Sequence, residues 1–404
     1  MSTTLPDAPW RDRPGLATLC AALDAAQGGA RFVGGVVRDT LLGLPVHDID
    51  IATRLTPQAV IERVRAAGLK AVPTGLAHGT ITAVLPDGPV EVTTLRRDVS
   101  TDGRHATIAF TDDWREDAAR RDFTINALYA DPETGAIHDY FGGLADLAAR
   151  RVRFIGDPLA RIAEDHLRIL RFFRFSARFG ATIDAEGLAA CTARANDLMA
   201  LSRERVADEL LKLLAAAQAP QTVALMIEHG IFRPVLPEIT SADRLAQVAA
   251  FEAAAGLAPQ PIRRLAALLP DDPALGDAIG ARLKLSNAQR KRLIAALDPT
   301  LAPPRALAYR LGTEGAADRL ALHAPLDEAL HAWRAIADWS VPRLPLSGGE
   351  LVARGLSKGP DVARTLRAIE ARWIEEDFPG TDRFATLRDE GVAQALAALN
   401  SANA

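Results

Sequence analysis

A glycine turn followed by a strand with two aspartates constrains the fold of this chain more than any other feature. The run Arg31-Phe32-Val33, with two apolar residues, precedes Gly34 and Gly35, which predicts a short strand, a sharp turn and the start of a helix. Asp48 and Asp50 alternate with isoleucines in the next apolar run, so both carboxylates should leave one face of a strand, about 6 to 7 Å apart. The segment therefore predicts a mixed unit of sheet and helix.

The same segment indicates chemistry on phosphates. Two convergent carboxylates can bind Mg²⁺, and Asp48 and Asp50 are therefore candidate metal ligands and catalytic residues. Gly35 lets backbone N–H groups approach phosphate oxygens, and Arg38 follows one helical turn later, where it can contact a triphosphate. A third candidate catalytic acid, Glu91, is expected on a buried or half-buried strand, where a carboxylate is costly unless it is paired or near a metal. Alone, a Gly-Gly turn or an Asp-x-Asp pair is usually structural, but the ordered set favours function.

These residues resemble motif A of the class II CCA-adding tRNA nucleotidyltransferase and bacterial poly(A) polymerase family. Further matches to family motifs occur, in family order, over roughly the first half of the chain. The segment Arg-Arg-Asp-Phe-Thr-Ile-Asn-Ala at residues 120–127 matches almost letter for letter, and the others lie at residues 74–80, 161–178 and 201–209. The resemblance implies a polymerase-β-like nucleotidyltransferase head.

The strand and helix signals divide the chain into parts. Short β-like runs alternate with turns up to about Leu144, whereas alanine, leucine and arginine at helical spacing dominate afterwards. We therefore expect an α+β protein with a mixed head and an otherwise all-helical remainder. The expected domains are a catalytic head at 1–145, a helical neck at 146–218 that selects nucleotides and binds RNA, a helical body at 219–340 and a helical tail at 341–404. Among the expected helices are residues 10–27, 123–128 and 161–178.

The last of these helices carries acids beside an arginine. At about 100° per residue, Asp165 and Arg168 should project within about 60° of one another, with Glu164 four residues before Arg168. A carboxylate beside a guanidinium can pair with the polar edge of a base. The resemblance implies that Asp165 and Arg168 contact the base, that Glu164 steers Arg168, and that Arg171 and Arg174 are further nucleotide contacts. A plain surface ion pair is the alternative interpretation.

Two other head segments carry expectations. Asp122 should cap the helix at 123–128, while Arg121 resembles the phosphate-contacting arginine of the family and should point toward the carboxylates. Residues 96–105 are polar and charged and contain a glycine, so we expect a mobile loop there. The resemblance implies that this loop takes part in the switch from C to A addition.

The net charge of −4 hides an uneven distribution. Residues 150–178 carry eight arginines against three acids, and residues 281–292 carry five basic side chains. Local basic surface is what contact with RNA phosphates requires, although solvated helix faces explain the second cluster equally well. No stretch resembles a signal peptide or a membrane span, and Cys20 and Cys191 indicate free thiols, so we expect a cytoplasmic protein without membrane partners.

The resemblance implies a function with tRNA, rather than DNA, as partner. The expected reaction completes the 3′-CCA end from CTP and ATP with Mg²⁺ as cofactor, releasing pyrophosphate. One alternative is a poly(A) polymerase, but residues 74–80 lack the basic insertion expected there and the chain has no long basic tail. Another is a noncatalytic RNA-binding helical protein with a relic head, against which the intact Asp48, Asp50 and Arg121 argue.

Overall fold

The chain forms two compact units, Met1–Ser241 and Ala242–Ala404. The computed structural model describes residues 4–102, 105–180, 182–357 and 359–403, but not the side chains of residues 98–107 and 401–403. The first unit holds both the expected head and the expected neck. The domain boundaries inferred from sequence therefore stay predictions.

The first unit is built on a mixed sheet of seven strands. Its spatial order is β3-β4-β5-β2-β1-β8-β9, and β2 and β5 are the parallel pair among otherwise antiparallel neighbours. The strands of this sheet are β1 (Ala30–Val33), β2 (Asp50–Thr53), β3 (Lys70–Gly75), β4 (Thr80–Leu85), β5 (Gly88–Thr94), β8 (Leu128–Ala130) and β9 (Ile137–Asp139). The parallel pair sets Asp50 beside Glu91.

Alternation along β5 decides which side chains the sheet buries. Val90 and Val92 are fully buried, as are Val60 and Val64 of helix α3 (Pro57–Ala66), which packs on the sheet. Because successive side chains of a strand point to opposite faces, Glu91 lies on the other face and is exposed. The expectation of a half-buried strand is therefore confirmed, and Glu91 lies on its exposed face.

A second small sheet replaces the loop expected at residues 96–105. Strands β6 (Arg96–Asp102) and β7 (His105–Phe110) pair antiparallel, with an irregularity in register between Asp98 and Ser100. The β-branched residues in both segments favour strand, which the polar composition concealed. The prediction of a loop is therefore wrong for these two strands, whereas the predicted mobility stays a prediction, and Gly103 and Arg104 lie outside the described residues.

The long N-terminal helix expected at residues 10–27 is interrupted. A 3₁₀ turn at Pro9–Asp12 precedes α1 (Leu16–Ala22), and a second 3₁₀ turn follows at Ala25–Gln27. Gly15 and Asp24 adopt φ values of 86° and 55°, which a right-handed helix does not tolerate. The periodic apolar residues are therefore used by three short elements instead of one helix.

The helix expected at residues 123–128 is also wrong. A single 3₁₀ turn, Thr124–Asn126, is followed directly by β8, whose Tyr129 pairs with Val33 of β1. Asp122 nevertheless receives the N–H of Phe123, at 2.9 Å from its Oδ1. Pairing with the central sheet therefore overrides the local helical preference.

The helix expected at residues 161–178 is broken into α6 (Pro158–Glu164) and α7 (Leu167–Phe179). Asp165 is extended, with φ −152° and ψ 107°, and its Oδ1 accepts the N–H of Leu167 at 3.1 Å. An aspartate carboxylate that satisfies a free N–H at a helix start favours a new helix at that point. The break places Asp165 between the helices rather than on one.

The rest of the described chain is helical, as the sequence predicts. In the described part of the second unit every regular element is a helix, and α15 bends at Gly312, where φ is 74°. No helix among the residues that the structure describes has the length and apolarity to cross a membrane. The remaining helices are α2 (Gly35–Leu41), α4 (Trp114–Ala119), α5 (Gly143–Ala148), α8 (Ala185–Ala193), α9 (Arg203–Leu214), α10 (Ala219–Glu228), α11 (Asp243–Ala254), α12 (Pro261–Ala266), α13 (Pro273–Arg282), α14 (Asn287–Ala296), α15 (Pro304–His323), α16 (Leu326–Arg334), α17 (Gly348–Ala353), α18 (Pro360–Glu375) and α19 (Thr381–Asn403).

Candidate active site

The glycine turn between β1 and α2 brings backbone close to two guanidinium groups. Gly34 adopts φ 74°, a value that favours glycine, and Gly35 begins the helix. A Cβ at Gly34 would lie 3.4 Å from Nη1 of Arg121, and one at Gly35 would lie 3.7 Å from Nη2 of Arg38. The absence of side chains at the two glycines therefore lets the backbone of the turn lie close to two cations.

Arg38 is more deeply buried than the sequence indicates. Its side chain donates from Nε to Asp39 at 2.8 Å and from Nη1 to the amide oxygen of Asn126, and its guanidinium lies 4.5 Å from the ring centre of Phe179. Burial lowers the pKa of Arg38 from its usual value, although the neighbouring Asp39 opposes this shift. The guanidinium reaches the turn through Nη2 at Gly35, so contact with a triphosphate stays a prediction.

Asp50, at the start of β2, lies near two other acids. Asp50 is half-buried, Glu91 is its neighbour on β5, and the exposed Asp48 lies two residues before Asp50, just outside the strand. Burial raises the pKa of Asp50 to about 6, with further contributions from Glu91 and Asp48, while Arg121 acts in the opposite direction. The negative charge at Asp50 is therefore poorly compensated by the protein, which is the situation that a bound cation would relieve.

The donor set suits a divalent cation that shares its ligands with a substrate. Among the residues that the structure describes, no group of three or more His, Cys, Asp or Glu is arranged to hold a metal ion by itself. Mg²⁺ is usually bound through one or two carboxylates, with water and substrate phosphates completing the octahedron. Asp48 and Asp50 fit that requirement.

Arg121 is held by a buried pair that the sequence analysis missed. Its Nη2 lies 3.2 Å from Oδ2 of Asp117 and its Nε donates to the hydroxyl of Tyr129 at 3.2 Å. That hydroxyl in turn donates to Asp117 at 2.6 Å. Asp117 lies four residues before Arg121, a spacing that indicates contact once a helix is expected there. The pair directs Nη1 toward Gly34.

Glu164 and Arg168 interact as expected, although the break changes the geometry of Asp165. Arg168 donates to Glu164 at 2.6 Å and to the backbone oxygens of Arg161 and Arg120 at 2.9 and 3.1 Å. The predicted projection of Asp165 beside Arg168 on one helix is wrong because Asp165 is not helical. Its carboxylate instead receives Nη2 of Arg205 at 2.8 and 3.1 Å.

Arg171 and Arg174 are bound by buried acids in the first unit. Arg171 donates from Nε to Asp122 at 2.8 Å, and Arg174 donates to the buried Glu209 at 2.6 Å. These contacts connect α7 to residues 120–128 and to α9. The prediction that both arginines contact the nucleotide is untested by this geometry, and it stays a prediction.

The basic excess counted along residues 150–178 is largely neutralised in the fold. Seven of the eight arginines form ion pairs, with acids that include Asp39, Asp122, Asp146 and Glu209 from other parts of the chain. In the second cluster, Arg290 and Arg292 pair with Asp277 and Asp318. These arginines are therefore ion-paired within the fold, and contact of either cluster with RNA phosphates stays a prediction.

Two family models match successive parts of the chain. The family described as "Poly A polymerase head domain" matches residues 30–153, and "Probable RNA and SrmB- binding site of polymerase A" matches residues 180–243.

Relatives with curated names extend the likeness over most of the chain. The mitochondrial CCA tRNA nucleotidyltransferase 1 of Mus musculus is 35% identical over 367 residues, covering 86% of this chain and 83% of the relative. A CCA-adding enzyme of Levilactobacillus brevis is 45% identical over 194 residues, covering 48% of this chain and 47% of its own. The solved structure of the Bacillus stearothermophilus CCA-adding enzyme in complex with CTP superposes with a TM-score of 0.73 at 27% identity, covering 95% of this chain and 99% of that one.

Proposed function

This chain belongs to the CCA tRNA nucleotidyltransferase family, and from that premise we propose that it adds CCA to the 3′ end of tRNA from CTP and ATP. The observation that carries the proposal is the electrostatic influence of Glu91, Asp48 and Arg121 on Asp50, together with a glycine turn that has two guanidinium groups beside it. Such a site combines acidic metal ligands with cations for a triphosphate. Both are needed for nucleotidyl transfer.

We propose Asp48 and Asp50 as the ligands of Mg²⁺. When bound there, Mg²⁺ supplies positive charge that favours ionisation of the RNA 3′-hydroxyl and offsets charge on the α-phosphate. Glu91, adjacent to Asp50 on the open sheet face, adds negative charge that orients groups around the reacting phosphate. In the reaction, the RNA 3′-oxygen forms a bond to the α-phosphate. The bond from the α-phosphate to the β-phosphate breaks, and pyrophosphate leaves.

Arg121 is the residue best prepared to bind the triphosphate. Asp117 and Tyr129 hold its side chain, so little further ordering is needed when a phosphate arrives beside Gly34. Arg38 contributes through Nη2 at Gly35. A preorganised cation stabilises the charge that develops on the phosphates more effectively than a mobile one.

We propose that base selection takes place at the break between α6 and α7. Glu164 fixes the guanidinium of Arg168, and Arg205 fixes the carboxylate of Asp165. A fixed donor and a fixed acceptor can satisfy the edge of cytosine or adenine, as a pairing base would.

We also propose the cytoplasm as the compartment of this protein. Its relatives include proteins named mitochondrial.

The direct test supplies purified protein and Mg²⁺ with tRNA transcripts that end before CCA, before CA and before A. The proposal predicts two C additions and one A addition on the first transcript, one of each on the second, and a single A on the third. CTP alone should stop the first reaction after two additions. Long A tails on unrelated RNA would contradict the proposal and indicate a poly(A) polymerase.

A further inference from the structure

A buried amide joins the phosphate side of the site to helix α7. The side chain of Asn126, which is 7% exposed, accepts a hydrogen bond from Nη1 of Arg38 through its Oδ1. Its Nδ2 donates to Oδ1 of Asp122 at 3.0 Å, and the other oxygen of Asp122 accepts from Nε of Arg171 at 2.8 Å. Four side chains thus form a continuous path from Gly35 to α7.

The chemistry of this path requires a neutral amide at position 126. Asparagine offers an acceptor to the cation on one side and a donor to the anion on the other. An aspartate would place a second carboxylate against Asp122, and an alanine would leave a buried donor of Arg38 and an oxygen of Asp122 without this partner. The one-turn 3₁₀ helix Thr124–Asn126 fixes the backbone that carries the amide.

Arg38 has a second side-chain partner, Asp39, so Asn126 is not its only attachment. Asp39 accepts from Nε of Arg38 at 2.8 Å and from Arg178, near the end of α7, at 3.0 Å. Loss of Asn126 would therefore leave Arg38 attached at Nε, but with its Nη atoms free to turn away from the glycines. The expected consequence is misplacement of a cation rather than unfolding.

We propose that Asn126 is a positioning residue that holds the Arg38 guanidinium at the glycine turn and ties it to α7 through Asp122. The inference rests on the proposed function, because it assigns Arg38 to the triphosphate and α7 to base selection. Through this link the phosphates and the base of one nucleotide are placed against a single rigid frame. Asn126 acts through Arg38 and Asp122.

The first test compares Asn126→Ala with Thr124→Val in single-nucleotide addition. Thr124 lies in the same turn, is 1% exposed, and donates to a buried carboxylate, Asp146, at 2.7 Å, so it is a matched control for a lost buried hydrogen bond. Asn126→Ala should raise KM for both CTP and ATP about tenfold or more, with a smaller change in kcat. Thr124→Val should leave KM within about twofold, even if its melting temperature falls as much.

An unchanged KM in Asn126→Ala, or an equal rise in both variants, would overturn the inference. Wild-type protein that adds no nucleotide to tRNA would instead contradict the proposed function, so the two failures are distinguishable.

An exchange of the two side chains provides a second test, which does not depend on the alanine variant folding. Asn126→Asp alone should raise KM because two carboxylates then face one another. Asn126→Asp combined with Asp122→Asn restores a donor opposite an acceptor, and it should recover most of the loss. No recovery in the double variant would contradict a positioning role for the pair.

Discussion

At the scale of single residues, neighbours decide which carboxylates are available for chemistry. Asp117 and Asp50 are both aspartates of the head, but Asp117 lies against Arg121, Arg120 and Tyr129, whereas Asp50 faces Glu91. Burial opposes ionisation of both, and the arginines reverse that effect only for Asp117, whose pKa falls to about 2. The carboxylate of Asp117 is therefore paired with Arg121, whereas the charge of Asp50 is not compensated in the same way and would be stabilised by a bound cation.

The low pKa of Asp117 predicts a specific dependence of stability on pH. Its folded pKa lies below the usual 3.8, so its contribution to stability is complete above about pH 5 and is lost as pH falls toward 2. The difference between the unfolded and folded pKa of Asp117 corresponds to roughly 2 kcal/mol of stability at neutral pH, and about half of this stability is lost by pH 3. In urea unfolding, Asp117→Asn should have a lower free energy of unfolding than wild type at pH 7. This difference in free energy should become smaller between pH 5 and 3.

The control for this measurement is Asp112→Asn, at an exposed position in the preceding segment. It should follow the wild-type curve. If the difference in free energy of unfolding between Asp117→Asn and wild type stayed constant over this pH range, the ionised form of Asp117 would not be the source of the stabilisation.

At the scale of elements, local patterns predicted the order of structure around the glycine turn but not where helices stop. Strand, turn and helix at residues 30–41 follow from glycine geometry and an apolar run, both local properties. At the break, the carboxylate of Asp165 accepts the N–H of Leu167 and also a hydrogen bond from Arg205, 40 residues later, and helical propensity does not report the second contact. The turn at 124–126 likewise ends because β8 pairs with β1.

The break between α6 and α7 predicts how nucleotide choice should fail. Asp165→Ala removes an acceptor proposed to face the base, so the penalty for a wrong base should fall by about 1 to 3 kcal/mol. Incorporation of each of the four triphosphates on tRNA ending before CCA should therefore show more misincorporation, even where total activity declines.

Asp165 also accepts the N–H of Leu167, the first residue of α7, so its control must lose a comparable bond at the start of another helix. Asp184 accepts the N–H of Gly187 at 2.9 Å at the start of α8, and Asp184→Ala should lose a similar cap energy of about 1 kcal/mol with unchanged selectivity. If Asp165→Ala kept the wild-type selectivity profile, the surface ion-pair interpretation would be correct.

At the scale of the whole molecule, the residues proposed for catalysis and for base selection all lie in the first compact unit. The mixed head and the helical remainder could be predicted, because strand signals stop near Leu144 and helical spacing continues afterwards. The electrostatics could not, because a count along residues 150–178 omits the acids that the fold brings from Asp39, Asp122 and Glu209. Charge pairing is a property of tertiary structure.

We propose that one acidic site, formed by Asp48 and Asp50, serves both C and A addition. Asp48→Asn and Asp50→Asn are therefore compared with Asp87→Asn, an exposed carboxylate in the turn between β4 and β5. The measurement is single-turnover addition of C and of A to matched tRNA transcripts, with tRNA binding followed in parallel. Loss of the metal ligands should reduce both additions about a hundredfold or more while tRNA binding persists, since several kcal/mol of transition-state stabilisation are removed. Near-normal A addition by either site variant, or equal loss in Asp87→Asn, would contradict the account.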